Sequence, residues 1–416
     1  MKKFFIGMLA VLMVSGAVYA AAPDMDFSGM INTRGRYVSN ETGVQEDAYD
    51  YMFYDMEFDA DLAIRPTDKT GIFLNFEIHD ENFNSKPNDS QSKTGDDNIV
   101  FKRAWGKYNF TDAWSTSFGL MTGAAFGTSF ADSGNGRYRV RVDGVTGIGK
   151  VGVVLEKNED AGAQYDSTID PKFDAESDDS DGYYAYWVGK FGDITPMVLV
   201  GYVTNGTLGA PDYDAVELGP TNNEPEGSDL DLMFIDAAVM GNMGMLGFEG
   251  EFVYQNFAYQ FSGPDDYSLM GVYGNVWANL DAFKVGAFVA YGSWDKDADK
   301  GFYFGDDFYP GLGVGEFQWF GSDAVYTFSA VTMANVYVDF AVNEKLSTNA
   351  NISFWSSNEK DTIWEDGTGY ELTVSGAYKL ADNVTYDAGL AYGSFDLDDL
   401  DVEPYTALHH RIKISF

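Results

Sequence analysis

The feature that most constrains this chain is a two-residue alternation of apolar and polar side chains. Residues 51–64 show it most strictly: Met52, Tyr54, Met56, Phe58, Ala60 and Leu62 alternate with Asp55, Glu57, Asp59 and Asp61. Successive side chains of a β-strand point to opposite faces of a sheet, so this segment predicts a strand with one apolar and one charged face. Residues 24–38 predict a similar first strand, and residues 409–416 a similar last one.

The connections between the predicted strands alternate between short turns and long loops. Short turns fall at residues 65–71 and 111–113, for example, whereas residues 80–97 and 294–328 form long polar connections. Alternation and turn residues together predict 18 strands, or 16 if a marginal pair near residues 138–155 or beside the longest loop is misassigned. This rhythm is typical of a transmembrane β-barrel with short turns at one end and long loops at the other.

The two edge strands of a sheet this large must also find hydrogen-bond partners for their backbone groups. An open sheet exposes unpaired backbone groups at each edge, whereas a closed sheet pairs its last strand with its first. The last strand is apolar on one face and charged on the other, which suits a wall between lipid and water. We therefore predict an all-β fold, a single transmembrane antiparallel β-barrel over residues 21–416. A secreted soluble β-sandwich is the alternative that remains open.

Residues 1–20 have the organisation of a secretory signal peptide. Lys2 and Lys3 precede an apolar run over residues 4–14, and residues 18–20 supply a cleavage site. No later apolar run reaches the roughly 18 residues that a spanning helix needs. The chain contains no cysteine, which excludes disulfides and thiolate metal sites.

The charge balance is strongly acidic. The formal net charge is −39, and loss of Lys2 and Lys3 with the signal peptide leaves 24 basic against 65 acidic residues, a net charge of −41. Such a surface repels nucleic acid and anionic head groups, so nucleic acid is not an expected partner. It suits loops that bind divalent cations or repel polyanions.

The chain resembles the Gram-negative porins, in particular the outer-membrane homotrimeric porin family. The resemblance rests on the signal peptide, the opening residues 27–32, the hairpin rhythm, the acidic loops and the terminal residues 411–416. It implies a homotrimer in the outer membrane, in contact with lipid and lipopolysaccharide, whose water-filled pores pass small hydrophilic solutes. By the same resemblance, Phe416 is the signal that the barrel-assembly machinery recognises.

The resemblance also implies that the third long loop folds inward as a constriction. In this chain that loop is 122–136, and it contains Phe126 and Asp132. It lacks the Pro-Glu-Phe-Gly-Gly run of the enterobacterial porins.

Basic side chains cluster on the faces that the alternation assigns to the lumen. We hypothesise that they face acidic side chains across the narrowest part of the pore, where the resulting field selects solutes. The predicted constriction residues are Arg34, Arg36, Arg103, Arg137, Arg139, Arg141, Arg411, Lys413, Asp55, Glu57, Asp59, Glu77, Phe126 and Asp132. The alternative is that they are solvated lumen side chains or weak salt bridges.

One loop carries spaced carboxylates that suit calcium. Asp295, Asp297 and Asp299, with Asp306 further on, are oxygen ligands of the kind that calcium prefers, although their spacing departs from an EF-hand. A merely acidic external loop is the alternative. No other cofactor is predicted.

Two further functions compete with a general porin. A substrate-selective channel would have a denser arginine ladder or a stack of lumen aromatics, and a surface adhesin would act through the acidic loops without an open pore. An enzyme is not predicted, because the three histidines, His79, His409 and His410, form no evident constellation with a nucleophile.

Overall fold

A computed structural model describes most of the chain outside the N-terminal segment and several long connections. The described residues are 23–39, 51–82, 100–123, 125–132, 134, 136–159, 180–204, 230–259, 266–305, 308–312, 330–360, 362, 365–397 and 403–416. The predicted signal peptide lies outside them. No helix in the described ranges is long and apolar enough to cross a membrane.

The described chain is almost entirely β-strand. The strands are β1 (Asp24–Val38), β2 (Tyr51–Thr67), β3 (Thr70–Asn82), β4 (Val100–Asn109), β5 (Trp114–Thr122), β6 (Gly136–Thr146), β7 (Gly149–Glu159), β8 (Ser180–Val188), β9 (Ile194–Thr204), β10 (Leu230–Met243), β11 (Leu246–Tyr259), β12 (Tyr267–Leu280), β13 (Phe283–Gly292), β14 (Trp294–Asp295), β15 (Lys300–Gly301), β16 (Val331–Ala341), β17 (Leu346–Ser357), β18 (Thr368–Ala381), β19 (Val384–Asp396) and β20 (Tyr405–Ser415).

Eighteen of these strands form one closed antiparallel barrel. Each strand pairs with its neighbours in the chain, except that β13 pairs directly with β16 because β14 and β15 form a separate small hairpin. The ring closes where β1 pairs with β20, from Met30 opposite Ser415 to Val38 opposite Ala407. The predicted barrel, the count of 18 and the alternation of short and long connections are confirmed, and β1 has the predicted bounds.

Apolar side chains cover the outer face of the barrel. Phe118, Val140 and Leu155 lie side by side on β5, β6 and β7, and they are 54%, 47% and 55% exposed. One residue along, Arg139 and Glu156 are paired on β6 and β7 and point to the interior. A soluble sandwich would bury its apolar faces between two sheets, so the single closed sheet excludes that alternative.

The last residue seals the seam between β1 and β20. The ring of Phe416 has its centroid 5.4 Å from that of Phe27 and 5.9 Å from that of Phe58. Its backbone N–H donates to the carbonyl of Gly29 at 3.0 Å, and its carbonyl accepts from the N–H of Gly29 at 3.0 Å. Gly29 allows this approach, because a Cβ there would lie 2.4 Å from the carbonyl oxygen of Asp59 and 2.8 Å from Cζ of Phe416.

We expect Gly29→Ala to destabilise the barrel by about 1–3 kcal/mol, since the added methyl group forces strand β2 and the Phe416 ring apart. Urea unfolding of the detergent-solubilised protein, followed by tryptophan fluorescence, measures the change.

Gly274→Ala is the matched control. Gly274 also lies in a strand, and a Cβ there would meet nothing within 4 Å. Its replacement should change the unfolding free energy by less than about 0.5 kcal/mol. Equal losses in the two variants would show that the seam has no special packing requirement.

Candidate functional site

Strands β1 and β2 carry the first group of predicted lumen charges. Asp55 is 3% exposed and pairs with two arginines, its Oδ1 lying 2.5 Å from Nε of Arg34 and its Oδ2 3.3 Å from Nε of Arg36. Glu57 lies 3.7 Å from Nη1 of Arg34. The register explains these pairs, because Arg34 is directly opposite Asp55 in adjacent strands. The opposite charges of this group are therefore neighbours on one wall, not partners across the lumen.

The closing strand brings further charge to this wall. Arg411 of β20 lies opposite Arg34, and Lys413 lies opposite Asn32. Nε of Arg411 donates to Oδ2 of Asp387 on β19 at 3.0 Å. The barrel closure thus gathers basic side chains from both ends of the sequence, and a carboxylate beside them offsets part of their charge.

Arg139 lies at a junction between the wall and loop 122–136. Its Nε donates to Oε2 of Glu156 on β7, and its Nη1 donates to the carbonyl of Thr122 at 2.7 Å. The hydroxyl of Tyr184 on β8 donates to the other oxygen of Glu156 at 2.9 Å. The guanidinium carbon lies 5.8 Å from the Tyr184 ring centroid. Arg139 is thus held rigidly, with its charge matched by a buried carboxylate.

Arg141 has a similar setting nearer the short-turn end. Its Nε lies 3.1 Å from Oδ2 of Asp143, and Nζ of Lys150 lies 3.7 Å from Oδ1 of the same carboxylate. The hydroxyl of Tyr186 also donates to Asp143. Two cations share one carboxylate here, so this part of the lumen is locally positive.

Three predicted acids lie close together on β2 and β3. Glu57, Asp59 and Glu77 can each place an oxygen atom within 4.8 Å of the others. Lys102 of β4 reaches into this group, where its Nζ pairs with Glu77 and lies 3.9 Å from Oδ1 of Asp59. A lysine ammonium therefore already supplies positive charge to the group.

Loop 122–136 leaves β5 and returns to β6, but its side chains contact strands elsewhere in the ring. The Phe126 ring lies 6.1 Å from that of Tyr186 on β8, and the backbone N–H of Thr128 donates to Oε2 of Glu251 on β11. Phe130 stacks on Tyr273 of β12 at 5.6 Å. The loop therefore runs through the interior of the barrel.

The remaining predicted residues of this region lie at the return of the loop. Asp132 accepts the N–H of Gly134 at its Oδ1 at 2.9 Å, and Nη2 of Arg103 donates to the carbonyl of Gly134 at 3.4 Å. Arg137, the second residue of β6, lies beside Gly123, where an added Cβ would be 2.2 Å from Cγ of Arg137. Arg103 and Arg137 therefore flank the two ends of the loop.

A second inward segment meets this loop, and the sequence reasoning missed it. Phe130 is fully buried, and its ring centroid lies 5.6, 5.1 and 5.1 Å from those of Phe302, Phe304 and Phe308. The backbone joins them too, since Gly305 N–H donates to the carbonyl of Phe130 at 2.7 Å. These phenylalanines fall within residues 294–328, which the sequence predicts to be a long polar connection. The sequence signal for their burial is that several phenylalanines occur close together in an otherwise acidic connection.

A buried glutamate on the wall holds the end of the second segment. Glu371 of β18 is 0% exposed, and its Oε1 accepts the backbone N–H of Leu312 at 2.8 Å. The hydroxyls of Thr373 and Tyr405 donate to its two oxygens. Glu251 and Glu371 thus have the same role. Glu251 accepts a backbone N–H from loop 122–136, and Glu371 accepts one from the second inward segment.

The predicted calcium loop has a local role in the β14–β15 hairpin. Oδ1 of Asp295 accepts the N–H groups of Asp297 and Ala298, each at 3.1 Å, which is a turn-forming arrangement. Asp299 follows with a positive φ of 55°, and Asp306 lies outside the described residues. Calcium binding by this loop stays a prediction.

Solved structures with this fold come from Pseudomonas aeruginosa. OccK9 (OpdG) superposes with a TM-score of 0.60 at 11% identity, over 94% of this chain and 98% of that one. OpdK with vanillate gives 0.58 at 9% identity, over 94% and 98%. OccK2 (OpdF) in complex with glucuronate gives 0.58 at 8% identity, over 94% and 96%. No protein-family model and no curated protein matches the sequence. The shared property is therefore the barrel fold.

We expect Phe130→Ala to lower the free energy of unfolding by about 3–5 kcal/mol, because it removes the ring on which both inward segments pack and leaves a cavity. Urea titration in detergent measures the loss.

Phe118→Ala is the matched control, since Phe118 is 54% exposed on the outer face. It loses apolar burial without forming a cavity, so we expect a smaller loss of about 1–2 kcal/mol. A Phe130 variant no less stable than the Phe118 variant would contradict a structural role for the aromatic cluster.

Proposed function

We propose that this protein is an outer-membrane channel for passive diffusion of small hydrophilic solutes and ions. The observation that carries the proposal is the polarity of the closed barrel, with apolar side chains outside and ion pairs inside. Soluble proteins rarely expose an apolar surface of this extent, whereas a transmembrane barrel with a water-filled lumen requires one toward the lipid. The solved structures of the same fold include the outer membrane protein OpdK, which supports this location.

The two inward segments and the charges around them form the proposed constriction. Arg139 and Arg141 carry it on one wall, beside Tyr184 and Tyr186. We propose that the rest of the predicted constriction set lines the path to and from this point: Arg34, Arg36, Arg103, Arg137, Arg411, Lys413, Asp55, Glu57, Asp59, Glu77, Phe126 and Asp132. Ion pairing within one wall keeps the side chains ordered, and the locally positive patch at Arg141 gives the lumen a transverse field.

A substrate-selective channel is the second candidate. Vanillate and glucuronate, named in the structures of OpdK and OccK2, are small carboxylates. An arginine beside a tyrosine ring can bind the carboxylate of such a molecule and contact its ring. Arg139 with Tyr184 has this arrangement. Competition by a small carboxylate for ion current would distinguish a binding channel from an unselective one.

The membrane partners complete the proposal. The mature protein, without residues 1–20, would contact lipid and lipopolysaccharide and form a homotrimer, and Phe416 would direct it to the barrel-assembly machinery. We extend the proposal to calcium binding by the acidic external loops, among them Asp295 to Asp299. An adhesin that acts through those loops would have the same barrel but no open path.

Planar-bilayer recording tests the function. The purified full-length mature protein should insert in discrete steps, each with a constant conductance. A folded protein that inserts without any current would contradict the channel function and favour the adhesin function.

Replacing Arg137, Arg139 and Arg141 with glutamine tests the constriction. Glu156 and Asp143 then lose their guanidinium partners, so we expect the cation-to-anion permeability ratio to rise roughly threefold or more. Reversal potentials in a salt gradient give the ratio.

Arg65→Gln is the matched control for this variant. Arg65 pairs with Asp24 and Asp26 at the exposed short-turn end, 3.2 and 2.5 Å away. Its loss should leave the permeability ratio unchanged. Unchanged permeability in the triple variant as well would refute the filter.

A further inference from the structure

Two buried carboxylates on neighbouring strands have a setting unlike the other lumen acids. Asp236 of β10 and Glu251 of β11 are 5% and 3% exposed. Asp236 pairs with Val253 in the ladder, and Ala238 pairs with Glu251, so the two acids are diagonal neighbours on the same face of the sheet. Both point to the interior, where loop 122–136 lies against Glu251.

These carboxylates have no cationic partner among the described residues. Oδ1 of Asp236 and Oε1 of Glu251 are buried without a hydrogen bond. The other oxygen of Glu251 accepts the backbone N–H of Thr128. Two acidic groups, Asp132 and Glu249, act on Glu251, and Glu251 in turn acts on Asp236. Acidic groups are therefore concentrated here, and the described part of the chain places no cationic side chain in an ion pair with Asp236 or Glu251.

The other acids of the wall show what is missing. Asp55 has two arginines, Glu156 has Arg139, and the cluster of Glu57, Asp59 and Glu77 has Lys102. In each case a cationic side chain reaches the carboxylates. A buried carboxylate requires either a cation or hydrogen bonds to both oxygens, as Glu371 receives from Leu312, Thr373 and Tyr405, because the apolar surroundings penalise an isolated charge. At Asp236 and Glu251 the described chain supplies no cation and leaves one oxygen of each without a hydrogen bond.

We propose that Asp236 and Glu251 bind one small, hard metal cation, a divalent ion of the calcium or magnesium type. Two carboxylates match the charge of one divalent ion, and their unpartnered oxygens are the ligand atoms that such ions prefer. The main chain of loop 122–136 and water would supply further oxygens. This site is separate from the acidic external loop at Asp295.

The cation would also hold the inward loop in place. Glu251 contacts Thr128, and the Thr128 hydroxyl accepts the N–H of Phe130 at 3.1 Å. A Cβ on Gly127 would lie 2.5 Å from Oε2 of Glu251, so the loop backbone lies directly against the carboxylate. Neutralising the carboxylate pair thus stabilises the contact that positions Phe130 and the second inward segment.

Calcium binding to the purified full-length mature protein tests the proposal, whether or not the protein conducts. Equilibrium dialysis with radioactive calcium counts bound ions, and thermal unfolding with and without calcium reports stabilisation. We expect Asp236→Asn together with Glu251→Gln to lose one saturable site and the part of the calcium-dependent rise in Tm that this site supplies. Calcium bound by external loops would be the same in the wild-type protein and the double variant, so it does not affect the difference between their binding counts.

Glu57→Gln together with Glu77→Gln is the matched control. It also removes two lumen carboxylates, but from a group that Lys102 already neutralises, so the number of bound calcium ions should stay the same. Identical binding isotherms for the wild-type and Asp236/Glu251 proteins would overturn the proposal. So would a stability that responds to pH at these two residues but not to calcium or magnesium, because the acids would then share a proton.

A second readout, on the wild-type protein and one single variant, covers the case in which the double variant fails to fold. Terbium(III) emission sensitised by nearby aromatic rings should appear on binding to the wild-type protein and decrease as calcium displaces it. Asp236→Asn alone should weaken this displacement at least tenfold. Terbium binding that the single variant leaves unchanged would place the ions elsewhere and refute the site.

Discussion

Backbone hydrogen bonding within one closed sheet is the constraint on which this structure depends. A strand that faces hydrocarbon has no water to satisfy its N–H and C=O groups, so each strand must have a partner on both sides. The pairing of β1 with β20 provides this for the two strands that would otherwise be edges. Once the ring is closed, the two-residue period of each strand separates apolar residues outside from charged residues inside. The lumen, its ion pairs and the room for inward segments all follow from that closure.

The same period explains how much could be predicted from sequence. Alternation in residues 24–38 predicts both the limits of β1 and the shared face of Arg34 and Arg36, because side chains two positions apart on a strand point to the same face. It could not show that Asp55 pairs with those arginines on the same wall, since that depends on the register between strands. Residues 302–305 and 308–312 escaped prediction for a different reason. They form no strand of the barrel, and Phe302, Phe304 and Phe308 pack on Phe130, more than 170 positions away in the chain.

The interior is organised by two kinds of contact. Phe130 joins the two inward segments to each other through aromatic packing, whereas Glu251 and Glu371 join each segment to the wall by accepting a backbone N–H. A hydrogen bond from main chain to a buried carboxylate positions a loop irrespective of its side chains. Glu251 and Glu371 therefore support the narrow region from the wall. Arg139 contributes both to the position of the loop, by donating to the carbonyl of Thr122, and to the polarity of the path.

The seam has a consequence for how the barrel forms. Ser39 contacts Thr406 across a separation of 367 residues, so β1 meets its second partner only after nearly the whole chain has been synthesised. Contacts of such long range are slow to form, because the ends of a very long loop must first meet. Until then β1 is an open edge with an apolar face, which is a template for aggregation. The chain is therefore exposed to misassembly until β20 arrives, and the last strand to emerge determines when folding can finish.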